Sequence, residues 1–177
     1  MTYQGFETLT VRPSTVVCLG AGKEPTAMTV QRTAYIIRPF GMPFRQTIRQ
    51  RIWWAGLFIV ASRELKIPRW AFEEIYPRYI DSKMPDEVWM RRLLLTTGNL
   101  SEVGVLEGED AVARLVRLVG TEADPAECEL GTIRRDYGAS AVECIGGFSF
   151  HLRVMHRPVD KVEAAHDLPI IERLLRD

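Results

Sequence analysis

The chain has 177 residues, 46% hydrophobic and 26% charged, with Lys+Arg and Asp+Glu at 23 each and a formal charge of zero. That length favours one globular domain with an appendage, the apolar content excludes a disordered chain, and the charge balance argues against a dedicated nucleic-acid binder, which carries a basic surplus. The longest apolar candidate, Trp53 to Ala61, falls far short of the roughly 20 residues of a membrane helix, and Met1 to Gly20 lacks a secretory pattern, so a cytoplasmic protein is expected.

Residues 1–31 carry scattered Gly, Pro and Thr and read as an N-terminal arm, with Thr10–Leu19 as a candidate strand; the regular domain spans 32–177. Thr33–Arg38 is a buried-strand run ended by Pro39 and Gly41. Phe44, Ile48 and Ile52 recur at helical spacing, and Gly56 closes that helix. Leu57–Leu65 reads as a second strand. Pro68 opens a short helix through Glu74 to Tyr76, and a loop with Pro77 and Pro85 leads to a helix over Asp86–Thr97. Val103–Leu106 is a short strand. Val112, Leu115, Val116 and Val119 mark a helix that Gly120 stops, and Thr121–Ala141 reads as loop. Phe148–Val154 alternates strictly and predicts the last strand. Asp160 with Glu163 three residues on resembles a capping box, opening a helix that Pro169 is expected to interrupt. The order β-α-β-α-α-β-α-β-α predicts an α+β, ferredoxin-like sandwich with a four-stranded antiparallel sheet.

Cys18, Cys128 and Cys144 form an odd set without a Cys-x-x-Cys pair, which disfavours a disulfide framework and a zinc site. Charge is segregated: residues 25–63 hold six arginines and no acid, while 102–110 and 122–129 hold four acids each. Solvated faces explain such blocks; the sharper reading is an anion site on the arginine side. Among three histidines, His156 stands out between the alternating strand and the helix capped at Asp160, beside Arg153 and Arg157. A rigidly carried imidazole near a helix N-terminus and guanidinium groups suits a nucleophile that holds a phosphoryl group; a surface histidine in a turn is the plainer alternative. His151 reads as an ordinary strand side chain and His166 as solvated.

Four ordered segments resemble the nucleoside diphosphate kinase family from Arg32 onward. Arg32-Thr-Ala-Tyr-Ile-Ile-Arg-Pro-Phe-Gly41 is similar to its opening strand, RT-x-x-x-IKPDG, and Gly108 to Gly120 to its EG-x-N-V-V…LG helix. Asp124-Pro-Ala-Glu-Cys-Glu-Leu-Gly-Thr-Ile-Arg-Arg-Asp-Tyr137 follows NPA-x-x-x-x-GTIR-x-D-[FY]. Val154-Met-His-Arg-Pro-Val-Asp-Lys-Val-Glu-Ala-Ala165 resembles the segment that holds the family histidine. The resemblance implies ping-pong transfer of a terminal phosphate from a nucleoside triphosphate, with Mg2+ on the nucleotide and a homo-oligomeric assembly. It implies His156 as nucleophile, and Arg38, Tyr76, Trp89, Arg117, Arg134 and Arg153 as the substrate- and phosphate-binding set. Asp160 stands where an aspartate could serve the metal's water shell; helix capping explains it as well.

Several positions depart from the pattern. Arg38 stands for a lysine and Phe40 for the following aspartate; a planar fork is not a point charge. Val116 falls at the second family arginine, with Arg114 and Arg117 nearby, and Ala123 replaces a threonine. Arg153 replaces the asparagine at the ribose, and Arg157-Pro158-Val159 replaces Gly-Ser. Asp167 or Leu168 lies where a glutamate orients the imidazole, and Val88 or Trp89 at the base-stacking ring. The segment from Tyr137 to His156 is longer than in the family, with Ala139–Phe148 added. Two readings follow: a phosphotransferase with a non-standard small-molecule acceptor, or a catalytically degenerate module that binds a nucleotide, another ligand or a protein.

Overall fold

A computed structural model describes residues 30–76, 86–122, 124–138, 142–145, 148–151 and 153–177. Residues 1–29 with the candidate strand Thr10–Leu19, the loop 77–85, Ala123 and residues 139–141 lie outside the described residues, as do the side chains of Val88 and of 142–150. The elements are β1 (Val30–Ile37), α1 (Arg45–Trp54), β2 (Phe58–Lys66), α2 (Arg69–Ile75), α3 (Asp86–Thr97), β3 (Leu100–Glu109), α4 (Ala111–Val119), α5 (Ile133–Tyr137), β4 (Val142–Ile145), β5 (Phe148–His151), β6 (Met155–His156) and α6 (Lys161–Arg176).

β1 is buried on both faces, which is why it reads as an apolar run instead of alternating. Ala34 and Ile36 point to one core with Val103 and Val105, under α2, α3 and α6. Tyr35 and Ile37 point to the other, with Leu106, under α1, α4 and α5. The sheet is antiparallel in the order β2-β3-β1-β6, as the ferredoxin-like reading requires. β3 runs well beyond the expected Val103–Leu106, because as an inner strand it pairs with β1 on one side and β2 on the other. Its polar Glu102 is fully buried yet satisfied: the Tyr35 hydroxyl donates to it, and Arg45 and Arg49 approach it at 3.0 and 2.9 Å.

Three expectations are corrected. The alternating run Phe148–Val154 is not the fourth sheet strand. Phe148–His151 pairs instead with Val142–Ile145 in a separate two-stranded ribbon, and two residues, Met155 and His156, complete the main sheet beside β1. Alternation reports a half-buried strand without saying which sheet it joins. The stretch Thr121–Ala141 is not all loop: a 3-10 turn covers Pro125–Glu127, and α5 follows, with the Thr132 hydroxyl accepting from Arg135 N. Pro169 does not interrupt the last helix. α6 is continuous through it, with the proline exposed and Ile170, Ile171 and Leu174 anchoring the second half to the core. Burial of that apolar face offsets the backbone hydrogen bond that proline removes.

The arginine-rich segment does not act as one site. Arg45 and Arg49 meet Glu102, Arg51 pairs with Asp136 at 2.7 Å, and Arg32 with Glu172 at 2.8 Å. Most of the segregated charge thus cross-links elements distant in sequence. Arg38 alone of that set reaches the site described next.

Candidate functional site

The site forms where the end of β1 meets β6. Arg38 N donates to the Val154 carbonyl at 2.9 Å, and His156 pairs with Ile36 in the sheet. Gly41 makes this approach possible, since a Cβ there would lie 2.3 Å from the Val154 oxygen. Tyr76, just after α2, fills the space between the two side chains. Its ring meets the imidazole edge-on, centroids 5.1 Å apart at 78°, while the Arg38 guanidinium lies 5.1 Å from the ring centroid and donates to the hydroxyl.

His156 Nε2 lies 2.8 Å from Asp167 Oδ2 on α6, and Asp167 Oδ1 meets Nδ1 of the exposed His166 at 3.0 Å. A carboxylate this deep needs such partners, and as an acceptor it places the proton of a neutral His156 ring on Nε2. Nδ1 then carries the lone pair. Burial, above all, pulls the His156 pKa below its ordinary value. Asp167 opposes through its hydrogen bond and charge, and Arg38 adds to the lowering. The ring is therefore neutral at physiological pH.

Two further guanidinium groups converge from other elements. Gly120 ends α4 with φ 102°, a conformation that L side chains rarely adopt, and its carbonyl turns toward both. Arg134 Nη1, from α5, donates to it at 3.1 Å and to the Glu122 carbonyl at 2.7 Å; Arg157 Nη2 donates to the same Gly120 oxygen at 3.0 Å. Burial lowers the Arg134 pKa to about 10, with Arg157, Arg153 and Arg38 adding to the effect. Arg157 is lowered by burial and by Arg153, while Glu163 opposes. Both remain charged near neutral pH. Arg38 acts on the imidazole directly, and Arg134 has Arg157, Arg153 and Arg38 as charged neighbours; the core residues of the site are buried: His156 is 7% exposed, Arg38 9%, Arg134 5% and Arg157 4%.

The residues expected from sequence divide accordingly. His156, Arg38, Tyr76, Arg134 and Arg153 come together. Trp89 is half-buried and packs at a tilt against Phe72, centroids 5.1 Å apart, and Phe72 in turn contacts Tyr76 at 4.9 Å, so it supports the wall of the site from behind. Arg117 is not brought in: it is exposed on α4 and lines a shallow cleft with Ala55, Arg114 and Leu118, because the face of α4 that carries Val112, Leu115 and Val119 is the one turned to the core. Asp160 caps α6, its Oδ1 accepting from Val162 N and Glu163 N at 2.9 and 2.8 Å. Glu163 answers by accepting from Val159 N at 2.8 Å, which tethers the turn after His156.

Arg157 stands next to His156 in the chain, as a guanidinium neighbour and as a departure from Gly-Ser. Of Asp167 and Leu168, the two residues in the neighbourhood of the family's orienting glutamate, Asp167 is the one that meets the imidazole. Its signal is an acid on the apolar stripe Ala164, Asp167, Ile171 and Leu174, a position no solvated carboxylate takes.

A protein-held divalent cation meets a poor donor set here. Guanidinium groups offer no lone pair, and Asp160 Oδ1 is committed to the helix cap. His156, Glu163 and Asp167 place three ligand-type atoms within 4.8 Å of one another, but Asp167 is bonded to both imidazoles and Glu163 to the backbone. Magnesium fits this chain only as a companion of the substrate's phosphates, not as a resident ion.

A four-stranded α+β sandwich carries a buried imidazole that meets a buried acid, with Arg38 beside it, and this arrangement is the candidate site. The family profile described as nucleoside diphosphate kinase matches residues 31–170. The nucleoside diphosphate kinase of Natronomonas pharaonis is 34% identical over 110 residues, covering 61% of this chain and 69% of that protein. That of Erythrobacter litoralis is 35% identical over 121 residues, 66% of this chain and 81% of that protein. Among solved structures, the Borrelia burgdorferi enzyme with bound vanadate and ADP superposes with a TM-score of 0.66 at 22% identity, over 81% of this chain and 88% of that one. The Encephalitozoon cuniculi enzyme does so with a TM-score of 0.64 at 26% identity, over 78% and 86%. The chain belongs to the nucleoside diphosphate kinase family, a family of nucleotide phosphotransferases. Among the described residues no helix is long and apolar enough to cross a membrane.

Proposed function

We propose that this chain is a phosphotransferase that moves the terminal phosphate of a nucleoside triphosphate through His156. The Nδ1 lone pair attacks the terminal phosphorus in line, the bond to the bridging oxygen breaks, and the diphosphate leaves with that electron pair. An acceptor oxygen then attacks the phosphohistidine, any proton it carries passing to water as the phosphoramidate bond breaks, and the bonding pair returns to Nδ1 of the neutral ring. Asp167 holds the Nε2 proton and steadies the positive charge that builds on the ring during each transfer. Arg38, Arg134 and Arg153 bind the phosphates, and Tyr76 fixes both Arg38 and the ring. Magnesium enters with the nucleotide, and Asp160 through its second oxygen is the residue to meet a water of that ion's shell. The acceptor is a small molecule other than a standard nucleoside diphosphate, because Arg153 and Arg157-Pro158-Val159 remake the wall that the family uses for the nucleoside. A cytoplasmic homo-oligomer belongs to the same proposal; Trp53, Trp54 and Phe58 are exposed beside the edge strand β2 and offer an apolar face to a second copy.

The observation that carries this reading is the 2.8 Å contact between His156 Nε2 and the buried Asp167, which orients a nucleophile. One observation favours the degenerate binding module instead: Arg134 and Arg157 already donate to backbone carbonyls. Incubation with γ-labelled ATP separates the two. Acid-labile, base-stable label on the wild type and none on His156→Ala is the expected result; nucleotide binding by calorimetry with no label on the wild type would select the module.

A further inference from the structure

Asp167 sits between two imidazoles, one buried and one exposed. Its Oδ2 faces His156 Nε2 at 2.8 Å, and its Oδ1 faces His166 Nδ1 at 3.0 Å. Helix geometry does not supply the outer contact. Successive side chains on α6 point about 100° apart and do not ordinarily face each other, and an exposed histidine is free to turn to water. His166 instead folds back on its neighbour: its side chain is 48% exposed, that of Asp167 1%. A carboxylate at that depth has lone pairs on both oxygens and needs a donor for each, and His156 satisfies only one. Among the described residues, the charged groups nearest the pair do not fill that need. Glu163, with an oxygen within 4.8 Å of both ligand atoms, is a like charge that accepts from Val159 N, and Arg38 donates to the Tyr76 hydroxyl.

We propose that His166 is a positioning residue for His156: its Nδ1–H holds Oδ1 of Asp167, so that Oδ2 stays aimed at His156 Nε2 and the lone pair stays on His156 Nδ1. This deepens the phosphotransfer reading above and rests on it for the rate of transfer, though not for the geometry. A carboxylate held at one oxygen can turn about its own axis and release the ring it orients; held at both, it keeps one orientation. His166 donates through Nδ1 either as the neutral Nδ1–H tautomer or as the cation, so the role needs a donor and no change of charge. The imidazole that touches the phosphate is thus held by an acid that an exposed histidine, one residue away in the chain, holds in turn.

The test compares three substitutions at this exposed position in the full chain. His166→Leu keeps Oδ1 covered and favours the helix, but has no donor. His166→Ala favours the helix as well and opens Oδ1 to water. His166→Asn brings an amide N–H close to the place of Nδ1 and gains nothing in helix propensity. A residue that served only α6 would rank the variants by propensity, with Leu and Ala at least equal to the wild type; positioning predicts the reverse. Labelling of His156 at saturating γ-labelled ATP should fall about tenfold in His166→Leu, the size of one hydrogen bond to a charged group. It should fall less in His166→Ala and return most of the way in His166→Asn, with chemical denaturation showing every variant folded. The 15N shifts of the imidazoles read the same effect without activity. The proton of neutral His156 should lie on Nε2 in the wild type and in His166→Asn, and its share on Nδ1 should rise severalfold in His166→Leu. An unchanged tautomer in His166→Leu overturns the proposal, and so does an unchanged labelling rate where the wild type labels. A wild type that takes no label defeats phosphotransfer, while the tautomer comparison still decides whether His166 positions Asp167.

Discussion

Two arginine clusters in this molecule are built differently. Around Glu102, Arg45 and Arg49 meet a fully buried carboxylate that also accepts from the Tyr35 hydroxyl, so charge is matched by charge within the fold. Around His156, Arg134 and Arg157 are more deeply buried and both donate to the Gly120 carbonyl, with Glu163 as a nearby counter-charge to Arg157. The first cluster ties α1 to β3. The second gathers like charges near a buried imidazole, the kind of environment that makes it the candidate site.

The largest effect that would break this contrast comes from the hinge between acid and nucleophile. Asp167→Asn should leave the fold intact by circular dichroism yet lower the rate of His156 labelling by about 10²–10⁴-fold, since an amide no longer fixes the proton on Nε2. A variant that labels at the wild-type rate would show that Asp167 is only a packing residue.

The pH profile sharpens the same point. Because the folded His156 pKa lies below the unfolded one, the native state binds fewer protons across that window. The stability this group contributes is therefore fully present above the ordinary histidine value and is lost as pH falls through that value toward the depressed one. The labelling rate should follow the neutral ring, level at neutral pH and falling only below the ordinary histidine range. A midpoint above that range, measured by stopped-time labelling, contradicts the burial argument.

In the other cluster, Glu102→Gln should cost about 1–3 kcal/mol by chemical denaturation, because Arg49 loses its counter-charge and Arg45 keeps only Glu64; both arginines are partly solvated, which limits the loss. Labelling of His156 should not change. The smallest effect is expected for Asp160→Ala, about 1 kcal/mol of stability through the lost cap of α6. A loss of labelling far beyond what unfolding explains would instead bring Asp160 into the chemistry.

Much of the scaffold is written in local pattern. The helix Asp86–Thr97, the stop at Gly120 and the cap at Asp160 follow from spacing and terminal residues alone. So does the strand pair of apolar runs at the centre of the sheet. The last strand was misplaced because a period of two describes any half-buried strand, including one in a small ribbon. The candidate histidine and most of the arginines near it were legible through motif spacing. Arg117 was not, because a one-residue step on a helix turns a side chain by about 100° and onto another face.

What the sequence by itself determined is the ancestry of the scaffold, with His156 and the arginines near it as the candidate site. Periodicity and short motifs are local properties, and local chemistry encodes them. Only the tertiary structure decided that Asp167 serves the imidazole, that Arg157 joins Arg134 on one carbonyl, and that Arg45 and Arg49 belong to Glu102. Partnership between charges depends on distance in space and on shared burial, and a chain must fold before either has a value.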